Sequence, residues 1–172
     1  MGFINVEIKA VCHEPEKIEQ LLMREGANYR GEDHQRDTYF KVPRGRLKLR
    51  EGTIENALIS YDRSNTAGPK KSDISLYKSK DGGQLREVLL QSLEVLVVVD
   101  KRRKIFFIEQ VKFHLDQVEG LGSFVEIEAI DYDGQIGESR LREQVARYIR
   151  LFDIQEKDLR KVSYSDMLLS LQ

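Results

Sequence analysis

The stretch VLVVVDKRRKIFF, Val95 to Phe107, is followed after one residue by EQVKFHLDQV, Glu109 to Val118, and then by FVEIEAI, Phe124 to Ile130. Its reading decides the fold. Two long β-like runs so closely joined predict a hairpin, and Glu119-Gly120-Leu121-Gly122 turns the chain into a third strand. Side chains two apart in a strand share a face. One face of this unit therefore carries Lys101 and Arg103, then Lys112, His114 and Asp116, then Glu126 and Glu128. The other carries Val111, Phe113, Leu115, Val125 and Ile127.

The same alternation recurs outside the hairpin, with Glu7 and Lys9 set between Val6 and Ile8, and Lys48 and Arg50 set between Leu47 and Leu49. An antiparallel sheet with one solvated face gives such a pattern too. Segregation by sign argues for something else: Lys48/Arg50 and Lys101/Arg103 are purely basic and Glu126/Glu128 purely acidic, whereas a solvated face mixes signs along each strand. A sheet closed with this face inward would hold a cationic lumen with carboxylates at defined places, suited to a polyphosphate and its metal ions.

Working outward, the first strand is expected at Phe3 to Val11, and Pro15 opens a helix through about Glu25, with Ile18, Leu21 and Leu22 as its apolar stripe and Gly26 as its stop. Short β-like runs follow at Asp37 to Val42, Arg46 to Arg50 and Ala57 to Arg63. Ser64 to Ser72 reads as a mobile loop, and Asp73 to Lys78 as a returning strand. Helical spacing predicts further helices at Gly83 to Leu93 and Ile136 to Leu151, and a short one at Tyr164 to Leu169 packed on the outside. Eight strands without βαβ alternation point to an α+β, mainly β protein: a closed eight-stranded antiparallel β-barrel with peripheral helices.

The 172 residues suit one domain, 1–172, with a core over about 3–152 and a helical tail over 153–172. Basic and acidic residues number 28 and 29, for a net charge of -1, which argues against a nucleic-acid partner. Cys12 is the only cysteine, which excludes an intrachain disulfide or a multi-cysteine zinc site. Met1 to Asn5 lacks a basic region followed by an apolar stretch, and the apolar run Val95 to Val99 is far too short to cross a bilayer, so a cytoplasmic protein with no membrane partner is expected.

Asn5-Val6-Glu7-Ile8-Lys9 resembles the amino-terminal Glu-x-Glu-x-Lys signature of the CYTH superfamily, the triphosphate tunnel metalloenzymes, which includes class IV adenylate cyclases and thiamine triphosphatases. The resemblance continues through Leu47-Lys48-Leu49-Arg50, Tyr61-Asp62-Arg63, Gly68-Pro69-Lys70, Lys101-Arg102-Arg103, His114 to Gly122 and Phe124 to Glu128, and covers about residues 3–152.

It implies a tunnel for a small-molecule triphosphate, ATP or a relative, held by Lys9, Lys48, Arg50, Arg63, Lys101, Arg103 and Lys112. Of these, Lys9, Arg63, Lys101 and Arg103 are the expected catalytic residues. A triphosphate carries about four negative charges and cannot be buried without cations. Arginines can fork onto two phosphate oxygens, while lysines act as point charges. Glu7, Asp116, Glu126 and Glu128 are the implied ligands for Mg²⁺ or Mn²⁺, hard ions that take oxygen donors.

Two positions depart from the family pattern. Asn5 replaces the first glutamate and brings no negative charge. Lys112 stands where relatives carry arginine, which keeps charge but loses the fork. His114 reads as a lumen residue or a plain hydrogen-bonded histidine, Gly120 and Gly122 as turn residues, and Lys70 and Lys71 as solvated or ligand-binding. The expected activity is that of a class IV adenylate cyclase, ATP to cyclic AMP and pyrophosphate. The alternatives are a hydrolase of thiamine triphosphate, inorganic triphosphate or nucleotides, and a non-catalytic triphosphate-binding protein. An exposed apolar outer face on such a barrel would make a homodimer reasonable.

Overall fold

β1 (Phe3–Val11) sets the parity of the whole molecule. Val6, Ile8 and Ala10 are buried on its outer side, in one apolar cluster with Leu141, Val145 and Tyr148 of helix α3 (Glu138–Leu151), while Asn5, Glu7 and Lys9 point inward. The computed structural model describes residues 3–63, 68–80 and 82–172. Part of the loop expected over Ser64 to Ser72, and the side chain of Arg63, lie outside the described residues.

After β1 come α1 (Pro15–Arg24), β2 (Asn28–Phe40), β3 (Arg46–Gly52), β4 (Ala57–Arg63) and β5 (Lys70–Lys78). Helix α2 (Gly82–Ser92), β6 (Val95–Ile108), β7 (Val111–Val118), β8 (Gly122–Asp131) and α3 follow, and α4 (Tyr164–Leu169) ends the order. The strands close into a barrel in the order β1-β5-β4-β3-β2-β6-β7-β8, all pairs antiparallel. This is the expected architecture. Among the described residues no helix is long and apolar enough to cross a membrane.

α1 starts on Pro15, where a missing N–H costs nothing, and ends before Gly26 at φ 77°, with Ala27 N–H returning to the Leu22 carbonyl at 3.0 Å. Its buried Ile18 and Leu22 join the outer cluster. Phe113 on β7 is fully buried there, edge-on to Tyr148 and Phe152 with centroids 4.7 and 5.8 Å away. Full burial of one such ring is worth roughly 1.5–3 kcal/mol. The helices thus cover the outside of β1, β7 and β8, which frees the inner face for polar residues.

Two expectations are corrected. β2 was expected at Asp37 to Val42, yet it begins at Asn28. From Glu32 to Asp37 its buried positions are Asp33, Gln35 and Asp37, so the two-residue period is written in polar side chains and a hydrophobicity pattern misses it. The second correction concerns α4, which does not pack on the outside. Tyr164 is buried in a cluster with Tyr39, Ile59, Tyr61, Val99, Val118 and Phe124, residues of the barrel interior, so α4 plugs one end of the barrel.

The plug is held by specific bonds. Ser163 Oγ accepts from Asp166 N–H at 3.2 Å while Asp166 accepts from Ser163 N–H at 3.3 Å, a capping box. Arg46 then donates to Ser163 Oγ at 2.8 Å and pairs with Asp166 at 2.9 Å. Upstream, Arg160 N–H donates to the Lys9 carbonyl at 2.8 Å, beside a bridge between Leu159 and Ala10.

Candidate active site

The barrel encloses a cavity of about 780 Å³. Lys9, Lys48, Arg50, Lys101, Arg103 and Lys112 line it, with Glu7, Glu126 and Glu128. It therefore gathers every described residue of the expected site except Asp116. Lys70, the other candidate, is buried with its ammonium on the Lys161 carbonyl and serves to dock the tail.

Strand register makes the charge pairs. Asp37 on β2 lies opposite Arg50 on β3 and accepts both arms of its guanidinium, Nε at 2.9 Å and Nη2 at 2.8 Å. Lys101 from β6 adds a bond of 2.8 Å, and Lys48 approaches to 3.3 Å. Burial alone would raise the Asp37 pKa, but Arg50, Lys101 and Lys48 hold it well below the usual carboxylate range. Lys101 moves the other way: burial, with Arg103, Arg50 and Lys48 adding to it, pulls the ammonium down to about 7 in spite of Asp37.

A second carboxylate repeats this plan. Asp116 on β7 faces Arg103 on β6 and accepts its Nε at 2.7 Å and Nη2 at 2.6 Å, while the Tyr164 hydroxyl donates to it at 2.7 Å. Both oxygens are engaged, so Asp116 in this arrangement grips Arg103. Arg103 reaches on to Glu126 at 3.0 Å, and Lys9 lies 3.2 Å from the other Glu126 oxygen. The Lys9 ammonium also sits 4.2 Å from the centroid of the Tyr164 ring, a cation–π contact.

His114 Nδ1 lies 2.9 Å from Glu126. A carboxylate only accepts, so Nδ1 carries the proton. Burial, reinforced by Arg103, lowers the imidazole to about 4 and keeps it neutral. The lumen role and the hydrogen-bonded role expected of this residue are both present.

β1 and β8 supply the donors suited to a cation. Their register sets Glu7 directly opposite Glu128, a like-charge pair that destabilises a sheet unless something positive sits between. Burial, with Glu7 adding to it, pushes the Glu128 carboxyl up. Asn5 donates Nδ2 to Glu128 at 2.5 Å and leaves its own Oδ1 buried without a hydrogen-bond partner. The carboxylates of Glu7 and Glu128, beside the unsatisfied amide oxygen of Asn5, are donors of the kind that suits a hard divalent ion. His114, Asp116 and Glu126 also bring ligand atoms within 4.8 Å of one another, an acidic group that could hold a metal ion, with Asp116 and Glu126 both paired with Arg103.

Sequence reasoning missed four residues of this site. Asp37 and Tyr164 anchor the cations, as above. Glu55, in the β3–β4 turn, contacts Lys112 through its carboxylate, which also accepts from Arg50 at 3.1 Å and Gln35 at 3.2 Å. Asp33, fully buried, holds that turn by accepting from Thr53 Oγ1, Ile54 N–H and Glu55 N–H, each at 2.9 Å. The one available signal was parity, since Asp33 and Asp37 share a face with Gln35.

The cations are interleaved with carboxylates. Among the described side chains Lys9, Lys48, Arg50, Lys78, Lys101, Arg103 and Lys112 stand with Glu7, Asp37, Glu55, Asp116, Glu126 and Glu128.

The CYTH domain model matches residues 4–161. No curated protein matches the chain. Among solved structures, a Pyrococcus horikoshii protein is 23% identical with a TM-score of 0.80, covering 94% of this chain and 98% of its own. A Vibrio parahaemolyticus protein provisionally named an adenylate cyclase is 20% identical with a TM-score of 0.79, over 98% of this chain and 99% of that one. A Hippeastrum protein described as having a dominant triphosphatase activity is 12% identical with a TM-score of 0.65, over 99% and 96%. These likenesses establish a shared fold.

Proposed function

Because this chain belongs to the CYTH domain family, we propose that it is a metal-dependent enzyme acting on triphosphates, and that its reaction is the class IV adenylate cyclase one, ATP to cyclic AMP and pyrophosphate. One observation carries the choice. The cavity joins its charged interior to a rim where Ile54, Leu76 and Tyr132 are exposed, with Phe107 beside them. Inorganic triphosphate would use the interior alone, whereas a nucleoside triphosphate uses both, its phosphates inside and its base against the apolar rim.

Arg50 and Arg103, already oriented by Asp37 and Asp116, present guanidinium groups to phosphate oxygens, and Lys9, Lys48, Lys101 and Lys112 act as point charges. Arg63 is assigned with them from the sequence resemblance alone. Mg²⁺ or Mn²⁺ held by carboxylates of the set Glu7, Asp116, Glu126 and Glu128 would acidify the attacking hydroxyl and neutralise charge on the leaving phosphate. The ribose 3′-oxygen bonds to the α-phosphorus as the bond from that phosphorus to the bridging oxygen breaks. Pyrophosphate leaves with the electron pair, and the hydroxyl proton passes to solvent. Catalysis is then positioning and electrostatic stabilisation, with no covalent nucleophile.

A triphosphatase is the second reading, favoured by the Hippeastrum neighbour's described activity and by an interior that would serve thiamine triphosphate or tripolyphosphate equally well. Water would then attack the terminal phosphorus. Incubation with ATP, thiamine triphosphate or tripolyphosphate and Mg²⁺ or Mn²⁺ separates the readings. Cyclic AMP with pyrophosphate supports the cyclase, orthophosphate the hydrolase, and tight binding without turnover a non-catalytic role tied to Asn5.

A further inference from the structure

Among the described carboxylates lining the cavity, Glu55 alone is carried by a turn instead of a strand. Its backbone is fixed: Asp33 accepts the N–H groups of Ile54 and Glu55, and Asn56 makes paired bonds with Gly52, donating to its carbonyl at 2.9 Å and accepting from its N–H at 3.1 Å. A side chain at residue 52 would not fit, because a Cβ there would stand 2.6 Å from the Glu55 carbonyl oxygen and 2.7 Å from Asp33. The turn backbone is thus fixed, and the Glu55 side chain, which accepts from Arg50 and Gln35 and contacts Lys112, can swing between cavity and solvent without moving it.

The Glu55 side chain turns into the cavity. One oxygen contacts Lys112 of β7, and the other lies 3.1 Å from Arg50 of β3, strands separated in the ring by β2 and β6. A single carboxylate therefore spans the lumen between two cations, as a phosphate group would. Asp37 and Asp116, the other carboxylates on these arginine grips, have no side-chain exposure, whereas Glu55 is 27% exposed and has water to retreat to. Burial would raise the Glu55 carboxyl, but Lys112 and Arg50 hold it far below its usual range, so it is always an anion at neutral pH.

We propose that Glu55 is a displaceable internal anion, a gate that occupies Lys112 and Arg50 until a phosphate of the substrate expels it towards solvent. The proposal rests on the triphosphate reading above. Its consequence is a built-in threshold. A ligand with one or two phosphates makes too few contacts to repay release of the Glu55 pairs and binds negligibly, while a triphosphate reaches the deeper cations as well and binds. Glu55 thereby discriminates on charge and length, and it keeps Lys112 and Arg50 paired when the barrel is empty.

The test is calorimetric titration of tripolyphosphate and orthophosphate, in EDTA and again with Mg²⁺, into the whole chain and into Glu55→Gln and Glu55→Asp. The amide keeps the backbone bonds to Asp33, and Lys112 remains opposite Glu128, so Glu55→Gln retains the turn. Loss of the competing charge should tighten tripolyphosphate by about tenfold in EDTA and bring orthophosphate into the measurable range, with Glu55→Asp, too short to span both cations, between. Equal affinity in all three proteins overturns the gate while leaving the triphosphate reading intact. Weaker binding by Glu55→Gln, in EDTA or with Mg²⁺ alone, overturns it too, because Glu55 then serves the ligand or its metal. Should no protein bind tripolyphosphate while all keep the wild-type circular dichroism spectrum, the triphosphate reading falls and the gate with it.

Discussion

Arg103 and Asp116 form a two-point clasp between β6 and β7, 2.7 and 2.6 Å long, inside a barrel that leaves neither side chain appreciable contact with solvent. The Tyr164 hydroxyl closes on the same carboxylate from the α4 plug. The clasp joins Lys9, Glu126 of β8 and the carboxy-terminal tail in one network.

Breaking one side of that clasp leaves the other buried and charged. Asp116→Ala is expected to cost about 3–5 kcal/mol in urea denaturation, and the apolar pair Arg103→Met with Asp116→Leu to recover most of it. Tyr164→Phe removes only one bond to a carboxylate that keeps Arg103, and should cost about 1–2 kcal/mol. A negligible effect of Asp116→Ala would mean that the two groups do not meet.

His114 gives the fold a sensitivity to mild acid. An unfolded chain protonates this histidine below about pH 6.5, while the folded one keeps it neutral until about 4, so the unfolded state binds more protons between these values. Stability is full above the higher value and is lost as pH falls towards the lower one, by up to about 3 kcal/mol. Urea midpoints at pH 7 and 5 should differ in the wild type and differ much less in His114→Gln.

Lys101 predicts a proton count for binding. Burial lowers its ammonium to about 7, so at pH 8 it is largely neutral in the empty barrel. Phosphate oxygens beside it favour the charged form. Tripolyphosphate binding at pH 8 should therefore take up roughly one proton, read from calorimetry in buffers of different ionisation enthalpy, and Lys101→Met should abolish the uptake.

Asn5→Glu tests the metal patch without any turnover measurement. The new carboxylate joins Glu7 and Glu128 in one buried place, so the variant should melt lower than wild type in EDTA. With millimolar Mn²⁺ it should gain more in melting temperature than wild type does. Equal gains in both proteins would place the ion elsewhere.

Much of the barrel was legible because its outer face obeys a simple rule: Val6 and Ile8, Phe113 and Leu115, and Val125 and Ile127 alternate with charge. Wherever that apolar half was missing, reading failed. Residues 28–36 form strand without an apolar face, since the β2 interior positions are Asp33 and Gln35 and the outer ones meet water. Glu55 and Tyr164 were illegible for another reason: one lies in a turn and one in a short tail helix, and neither position carries periodicity.

The sequence alone determined that eight strands form and that most of them alternate an apolar with a charged face, because side-chain direction in a strand follows from its two-residue period, and its family resemblance singled out Lys9, Lys48, Arg50, Lys101, Arg103 and Lys112, which line the cavity. It could not say which charge meets which. Partnership depends on register between strands distant along the chain, and register is set only when the ring closes. Closure placed Arg103 on Asp116, Arg50 on Asp37 and Glu7 against Glu128. It also turned an expected cationic lumen into a mixed one, in which carboxylates such as Asp37 and Asp116 orient the cations.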